Sequence, residues 1–355
     1  MSRETDNAAS VTSDRIAFVV IGRNEGARLK RCLDSLTGQV GRTVYVDSGS
    51  SDGSPACARN LGFRVIELDP AQGRFTAARG RNEGATQLAG EIPGLAAVQF
   101  IDGDCVLAPG WIDAAAKHLH DHPEIAVLCG RLRERDRDRS MFARLCDLDW
   151  DGPAGEIRAC GGITLVRLDA FTAVQGFDAT LATGEEADLC KRIRDRGGKV
   201  VRLAVEMAQH DAGMTTFADW WKRTVRVGYG YAEAAARTGD SKDRGKSRRI
   251  ASNLVWAGVL PLVLIAGAAS TPVEPWLAGL PVLVLLAYTL LLVRIFRSSR
   301  RSGRSASDAA LYSVFCLLAK WPHLWGHVQF WVGGGQPDTR SAGPRTMTPA
   351  MKTGT

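Results

Sequence analysis

Val98-Gln99-Phe100-Ile101-Asp102-Gly103-Asp104 is the stretch on which the fold turns. Val98–Ile101 is a short apolar run of the kind that forms a buried strand, and it ends on two carboxylates flanking a glycine. Both acids can converge on one hard cation, magnesium or manganese, which takes one or two carboxylates and keeps positions open for substrate phosphates. The glycine lets a bulky diphosphate approach the backbone. An Asp-x-Asp triplet also suits a plain polar turn, so its surroundings decide.

Upstream, Ile16–Ile21 reads as a strand, followed by Leu29, Cys32, Leu33 and Leu36 at helical spacing. Thr43–Val46 is a second strand, ending at Asp47. Ser54–Leu61 suits a helix, Phe63–Leu68 a strand and Thr76–Ala89 a helix. Strands alternating with helices predict an α/β fold around a Rossmann-like, mostly parallel sheet. Ligands of such sheets sit beyond the carboxyl ends of the strands, where Asp47 and Asp102 both fall. Downstream of Trp111 the alternation loosens. Gly161–Val166 is expected as a strand, Glu186–Asp195 as a helix, Val200–Leu203 as a strand and Thr216–Arg237 as a helix, with His210 lying after the last strand.

The chain has 355 residues, 45% hydrophobic and 23% charged, enough for a packed core, and a formal net charge of +7. Its eight cysteines show no CxxC spacing, which points to buried thiols in a reducing compartment and away from zinc or a disulfide framework. The polar segment 1–14 lacks the apolar core of a signal peptide and is expected to be disordered, as is the tail 334–355. A soluble domain over 15–240 is expected in the cytoplasm, joined by a basic linker, 241–253, to a membrane region at 254–333.

Leu254–Ser270 and Trp276–Val293 carry no charge over 17 and 18 residues. Each is close to the minimum for crossing a hydrocarbon core of roughly 30 Å. They predict two transmembrane helices, 254–270 and 276–296. Basic residues flank the pair on both outer sides while the loop 271–275 has none, so both ends face the cytoplasm of a cell (inner) membrane. The excess positive charge then serves anionic headgroups, with no nucleic-acid partner. Segment 309–332 sets Leu318, Trp321, Trp325 and Val328 on one face, and Lys320, His323 and His327 on another, with Pro322 interrupting. It reads as an interfacial or third membrane helix. His323 and His327 have the spacing of a metal pair, but no third ligand is evident.

Several ordered motifs resemble glycosyltransferase family 2, with its GT-A fold. Val19-Val20-Ile21-Gly22-Arg23-Asn24-Glu25 is similar to the family's first strand, and Asp47 through Gly53 to its Asp-x-Gly-Ser-x-Asp-Gly signature. Arg81-Asn82-x-Gly84 and Asp102-Gly103-Asp104 resemble its Arg-Asn-x-Gly and metal-binding Asp-x-Asp. Gly176-Phe177-Asp178 with Gly184-Glu185-Glu186-Ala187-Asp188-Leu189 resembles the acceptor-side segment that holds the base.

The resemblance implies a nucleotide-diphospho-sugar donor, a UDP-sugar first, bound around Asn24, Glu25, Asp47, Arg81 and Asp102. It implies Mn2+ or Mg2+ at Asp104, with Asp102 and His210 as further ligands. Glu186 falls at the catalytic base and inversion by single displacement follows. Glu185, Asp188, Trp220 and Trp221 are expected on the acceptor side, with a lipid-linked or membrane-proximal acceptor. The family base is more often Asp, so Glu185 and Asp188 stay open as alternatives. Trp220-Trp221-Lys222-Arg223 stands where processive members carry Gln-x-x-Arg-Trp, which argues for adding one sugar. His210 also reads as a structural histidine.

A nucleotidyltransferase or dinucleotide oxidoreductase would carry a glycine-rich loop after the first strand, and Ile21-Gly22-Arg23-Asn24-Glu25-Gly26 is not one. A membrane-bound sugar-nucleotide sensor or non-catalytic partner subunit is the remaining alternative. The retained Asp102, Asp104 and Glu186 count against it.

Overall fold

The computed structural model describes residues 11–181, 183–238 and 244–334. The expectations for 1–10, 239–243 and 335–355 lie outside them. The described residues divide into two compact units, one drawn from 11–137 with 149–213 and one from 138–148 with 214–334.

The first unit is built on a nine-stranded sheet. Its strands are β1 (Ile16–Gly22), β2 (Thr43–Asp47), β3 (Arg64–Glu67), β4 (Ala97–Asp102), β5 (Cys105–Leu107), β6 (Ile125–Glu134), β7 (Gly155–Glu156), β8 (Thr164–Arg167) and β9 (Lys199–His210). Their order is β3-β2-β1-β4-β8-β6-β9-β5, with β7 also on β9. β3, β2, β1 and β4 run parallel, in the register Gly22↔Asp47 and Ile21↔Asp102. β1 and β2 are buried almost throughout, as parallel strands covered on both faces must be.

The expected mostly parallel sheet holds only for that half. β8 is antiparallel to both β4 and β6, β6 is parallel to β9, and β5 and β7 are antiparallel to β9. The chain enters β8 at the edge where β4 ends, so β8 must run backwards beside it. The long β6 was not legible because its second half, Arg131-Leu132-Arg133-Glu134, is charged. Its pairing with β9 also shifts register three times. Gly130 lies within one of those shifts, where a Cβ would come 2.6 Å from the Val205 carbonyl. β9 runs past Leu203 to His210, so the histidine ends the strand instead of following it.

Helix Ala77–Glu91 lies against β1 and β2. Thr76 caps it, its side chain accepting from the Arg79 N–H. Gly84 permits the contact: a Cβ there would come 2.5 Å from Val19 Cγ1 and 3.1 Å from Val46 Cγ2.

The second unit is helical. Among its described residues, helix Phe217–Thr238 comes first. The basic segment expected as a linker is helical from Arg244, and Arg244–Leu254 passes through a wide π turn, Val255–Val259, into Leu260–Ser270. Pro261 lacks an N–H and crowds the carbonyl four residues back, which the wider turn relieves. Helix Gly279–Arg301 follows a 3-10 turn, Pro275–Ala278. Ser247–Ser270 and Pro275–Arg301 are each long and apolar enough to cross a membrane, by length and composition.

The segment 309–332 is two helices, Ala306–Leu318 and Lys320–Val332. The break places Pro322 in the first turn of the second, where no backbone donor is needed. Lys320–Val332 crosses Phe217–Thr238 at two glycines: a Cβ at Gly228 would meet the His323 carbonyl at 2.3 Å, and one at Gly326 the Val225 carbonyl at 2.2 Å. His327 is buried there, with Nδ1 2.8 Å from the Gly228 carbonyl and Nε2 3.1 Å from Asn253 Nδ2. Both its ring nitrogens are engaged in packing, which removes the metal-pair reading of His323 and His327.

The tight seat of Gly84 predicts that Gly84→Ala lowers stability by about 1–3 kcal/mol through overpacking. Gly90→Ala in the same helix has open space around it and is expected to be neutral or stabilising. Denaturant midpoints of the two variants check this.

Candidate active site

The parallel registers bring the ends of β1, β2 and β4 to one edge, and the candidate residues gather there. β4 ends at Asp102, and the Gly103 N–H donates to the Ile21 carbonyl (2.7 Å) as the chain turns. β5 then pairs with β9 in the register Cys105↔His210. That pairing sets His210 Nε2 3.0 Å from Asp104 Oδ2, and the Asp211 N–H donates to the Asp104 carbonyl (2.9 Å). Burial alone would raise the Asp104 pKa and lower that of His210. Their mutual contact overrides burial in both, holding Asp104 below the usual carboxylate range and His210 above the usual imidazole one. The Trp150 ring stands edge-on to His210, centroids 4.5 Å apart.

Arg81 projects from helix Ala77–Glu91 with its side chain 3% exposed. Its Nη2 donates to Asp102 Oδ1 (2.9 Å), and its Nη1 to Glu185 Oε1 (2.9 Å) and Glu186 Oε1 (3.2 Å). The two glutamates open helix Glu185–Arg194, where acids complement the helix dipole, behind Gly184 at φ +80°. Burial raises the Glu186 pKa. Arg81 opposes it and the like charge of Glu185 adds to it, leaving Glu186 up at about 7. Asp188 points elsewhere, paired with Arg192 one turn along at 2.7 Å.

The loop after β2 organises around Asp47. Its buried carboxylate accepts from Tyr45 Oη (2.7 Å), the Ser50 N–H (2.7 Å) and Ser50 Oγ (2.5 Å). Asn24, at φ +57°, accepts from the Ser51 N–H (2.7 Å) and donates its own N–H to Ser50 Oγ (2.9 Å). Asp47 and Asn24 therefore shape the loop through internal bonds. Glu25 lies against Gly103, where a Cβ would be 3.2 Å from its Cγ, and pairs with Arg28 (2.8 Å). Burial, then the charge of Asp104, raises its pKa.

The structure thus joins Arg81, Asp102, Glu185 and Glu186 in one cluster and Asp104 with His210 in a contact beside it. Trp220 and Trp221 belong to the helical unit. There Trp220 is buried edge-on to Phe315, centroids 5.0 Å apart, so packing accounts for it. Ligand atoms of Asp104, Cys105 and His210 lie within 4.8 Å of one another. Burial holds the Cys105 thiol well above its usual pKa, and it donates to Asp104 Oδ1 (3.4 Å). A thiol is a soft donor, whereas Mn2+ and Mg2+ take oxygen and nitrogen, which leaves the carboxylate and the imidazole for such an ion. His210 Nδ1 is buried with no hydrogen-bond partner. An oxygen and nitrogen donor pair fits a divalent cation such as Mn2+ or Mg2+. Asp102, expected as a further ligand, has Oδ1 committed to Arg81.

Gly162 was missed by the sequence reading. A Cβ there would stand 2.4 Å from Arg81 Nη2, 2.9 Å from Asp102 Oδ2 and 3.2 Å from Glu186 Oε1. The Gly161-Gly162 pair before β8 was its only signal. Trp150 carried none, because it reaches His210 through tertiary packing.

Residues 17–164 match the family model Glycosyl transferase family 2, and residues 97–295, which are 199 of the 355, match Glycosyl transferase family group 2. The chain belongs to this glycosyl transferase family 2 group, and its mixed sheet is GT-A-like. It is 25% identical over 239 residues to the pre-mycofactocin glycosyltransferase of Mycobacterium tuberculosis, covering 63% of this chain and 48% of the relative. It thus spans about half the length of the curated relatives it matches. A crystal structure of glucosyl-3-phosphoglycerate synthase from Mycobacterium tuberculosis, in complex with Mn2+, UDP-glucose and phosphoglyceric acid, is similar at a TM-score of 0.45. Its identity is 17%, covering 66% of this chain and 83% of that one.

Removing the buried cation strands three carboxylates. Arg81→Met is expected to cost about 3–5 kcal/mol of stability at pH 8. The loss should shrink toward pH 5, because the stranded acids then take up protons and lose their charge. Chemical denaturation at the two pH values measures both.

Proposed function

We propose that this chain is an inverting glycosyltransferase that moves a single sugar from a nucleotide-diphospho-sugar, a UDP-sugar first, to an acceptor hydroxyl at a membrane surface. The observation that carries the reading is the pair of neighbouring charge clusters at the β-strand edge: Arg81 with Asp102, Glu185 and Glu186, beside Asp104 with His210. Family membership fits the same chemistry.

Asp104 and His210 would hold Mn2+ or Mg2+, which supplies positive charge next to the donor diphosphate. Asp102, aligned by Arg81, faces the ribose or diphosphate. Asn24, Glu25 and the Asp47 loop form the nucleoside side. Glu186 takes the acceptor proton as the new bond to the anomeric carbon forms and the bond to the diphosphate oxygen breaks. A carboxyl titrating near 7 suits that role at neutral pH. Glu185 and the Asp188–Arg192 pair then serve to position the helix that presents Glu186.

The membrane part of the reading is supported by the two long apolar helices, whose side chains stay exposed, as at Leu262 (68%) and Val282 (63%). Arginines 294, 297, 300, 301 and 304 support a cytoplasmic end for the second helix. A lipid-linked acceptor, in envelope polysaccharide or glycolipid synthesis, follows from that location and from family analogy.

The test is nucleoside diphosphate release by the full chain in detergent with a panel of nucleotide sugars, an acceptor lipid extract and Mn2+ or Mg2+. Asp104→Ala should abolish metal-dependent donor binding. Glu186→Gln should keep donor binding and lower kcat by about 10²–10⁴-fold. A raised pKa means that Glu186 is protonated below it, so wild-type kcat should climb through pH 7 and level off above. Donor binding without release under any condition would leave a sugar-nucleotide sensor as the better account.

A further inference from the structure

At the basic end of helix Gly279–Arg301 two clefts adjoin. One, of about 340 Å³, is lined by Arg294, Arg304, Ser298, Ser302 and Tyr312 together with Leu291. The other, of about 540 Å³, shares Arg294 and Ser298 and adds Arg297, Arg301, Leu290 and Val293. Residues 294, 297, 298 and 301 recur at helical spacing, so three guanidinium groups and a hydroxyl share one face. Among the described residues none of Arg294, Arg297 and Arg301 has an ion-pair partner. Asp308, an acid on the next helix, is held by Arg144 at 2.6 Å. Arg304 is pinned by the Leu148 carbonyl and lies over the Tyr312 ring at 4.2 Å, leaving its Nε buried without a hydrogen-bond partner.

We propose that these clefts bind the phosphate group of an anionic lipid. Like charges three and four residues apart repel, and a phosphate among them turns that repulsion into charge-assisted, bidentate pairing. The lipid is favoured over free phosphate because the cationic lining runs directly into apolar walls at Leu290, Leu291 and Val293. That wall continues along the exposed Leu286 and Leu283. A headgroup at the arginines would thus lay its chain on the face read as membrane-spanning. The site rests on that membrane reading but not on the transfer chemistry.

The experiment counts lipids bound to the full-length chain in detergent by native mass spectrometry, with dioleoyl phosphatidic acid as probe and dioleoyl phosphatidylcholine beside it. Phosphatidic acid should bind more tightly. Arg294→Gln and Arg304→Gln should each weaken it by about tenfold or more, the loss of a charge-assisted hydrogen bond. Arg300→Gln removes the same charge from the same helix end outside both clefts, and should leave binding within about twofold of wild type. Equal weakening by Arg300→Gln would reduce the effect to general charge attraction and overturn the site. Displacement of phosphatidic acid by equimolar inorganic phosphate would overturn the lipid assignment. Nucleotide-sugar binding, measured on the same samples, separates either failure from that of the transferase reading.

Discussion

The Arg81 guanidinium is the constraint on which the rest of the candidate site depends. It is nearly sealed from water, and it touches three carboxylates from two separate elements. A buried charge is tolerable only when paired, and each of these acids is partly paired by the same cation. Arg81 can reach them because helix Ala77–Glu91 lies directly on the sheet through Gly80 and Gly84. It can lie flat among them because position 162 has no side chain. Three glycines, two in the helix and one before β8, therefore set the geometry of a charge cluster that none of them joins.

The second cluster depends on strand pairing. Asp104 and His210 are 106 residues apart, and only the antiparallel β5–β9 ladder brings them together. That ladder belongs to the half of the sheet that departs from parallel order. The mixed topology thus lets one acid of the Asp-x-Asp triplet, just before β5, turn to a histidine while the other, at the end of β4, turns to an arginine. Asp102 and Asp104 look equivalent in sequence and are not equivalent in the fold.

The parallel half of the fold was legible because its signals are local. Apolar runs ending in Asp47 and Asp102, and the spacing of Arg81 and Gly84, lie in continuous segments whose periodicity survives without tertiary information. β6 and the far end of β9 were not legible, since their outer residues are charged and their register slips, which erases alternation. Glu186 was placed by resemblance. What sequence did not contain was its electrostatic setting: Glu185 on one side, Arg81 between, and burial enough to bring a carboxyl near neutrality. Asp188, an open alternative for the base in sequence, pairs with Arg192 in the structure. The helix break at Ala319 was implicit in Pro322, but the glycine crossing that buries His327 could be recognised only once Gly228 and Gly326 were seen to meet.

Charge balance gives the strongest physical reason why this edge needs a cation. Glu25, Asp102, Asp104, Glu185 and Glu186 converge on it, opposed by Arg28, Arg81 and His210. Arg28, Arg81 and His210 are engaged with those acids, and Arg31 and Arg135 with Asp211 beside His210, so among the described residues each of these cations already has a carboxylate partner. The anionic donor would meet net repulsion there, strengthened by the low dielectric of a partly buried site. A divalent ion held by Asp104 and His210 would supply positive charge there and reverse the sign of that contact. It also leaves Arg81 to keep Asp102 and Glu186 in place. The acid-rich composition of the edge, unfavourable for a phosphate ligand alone, is what a metal-dependent site for one requires.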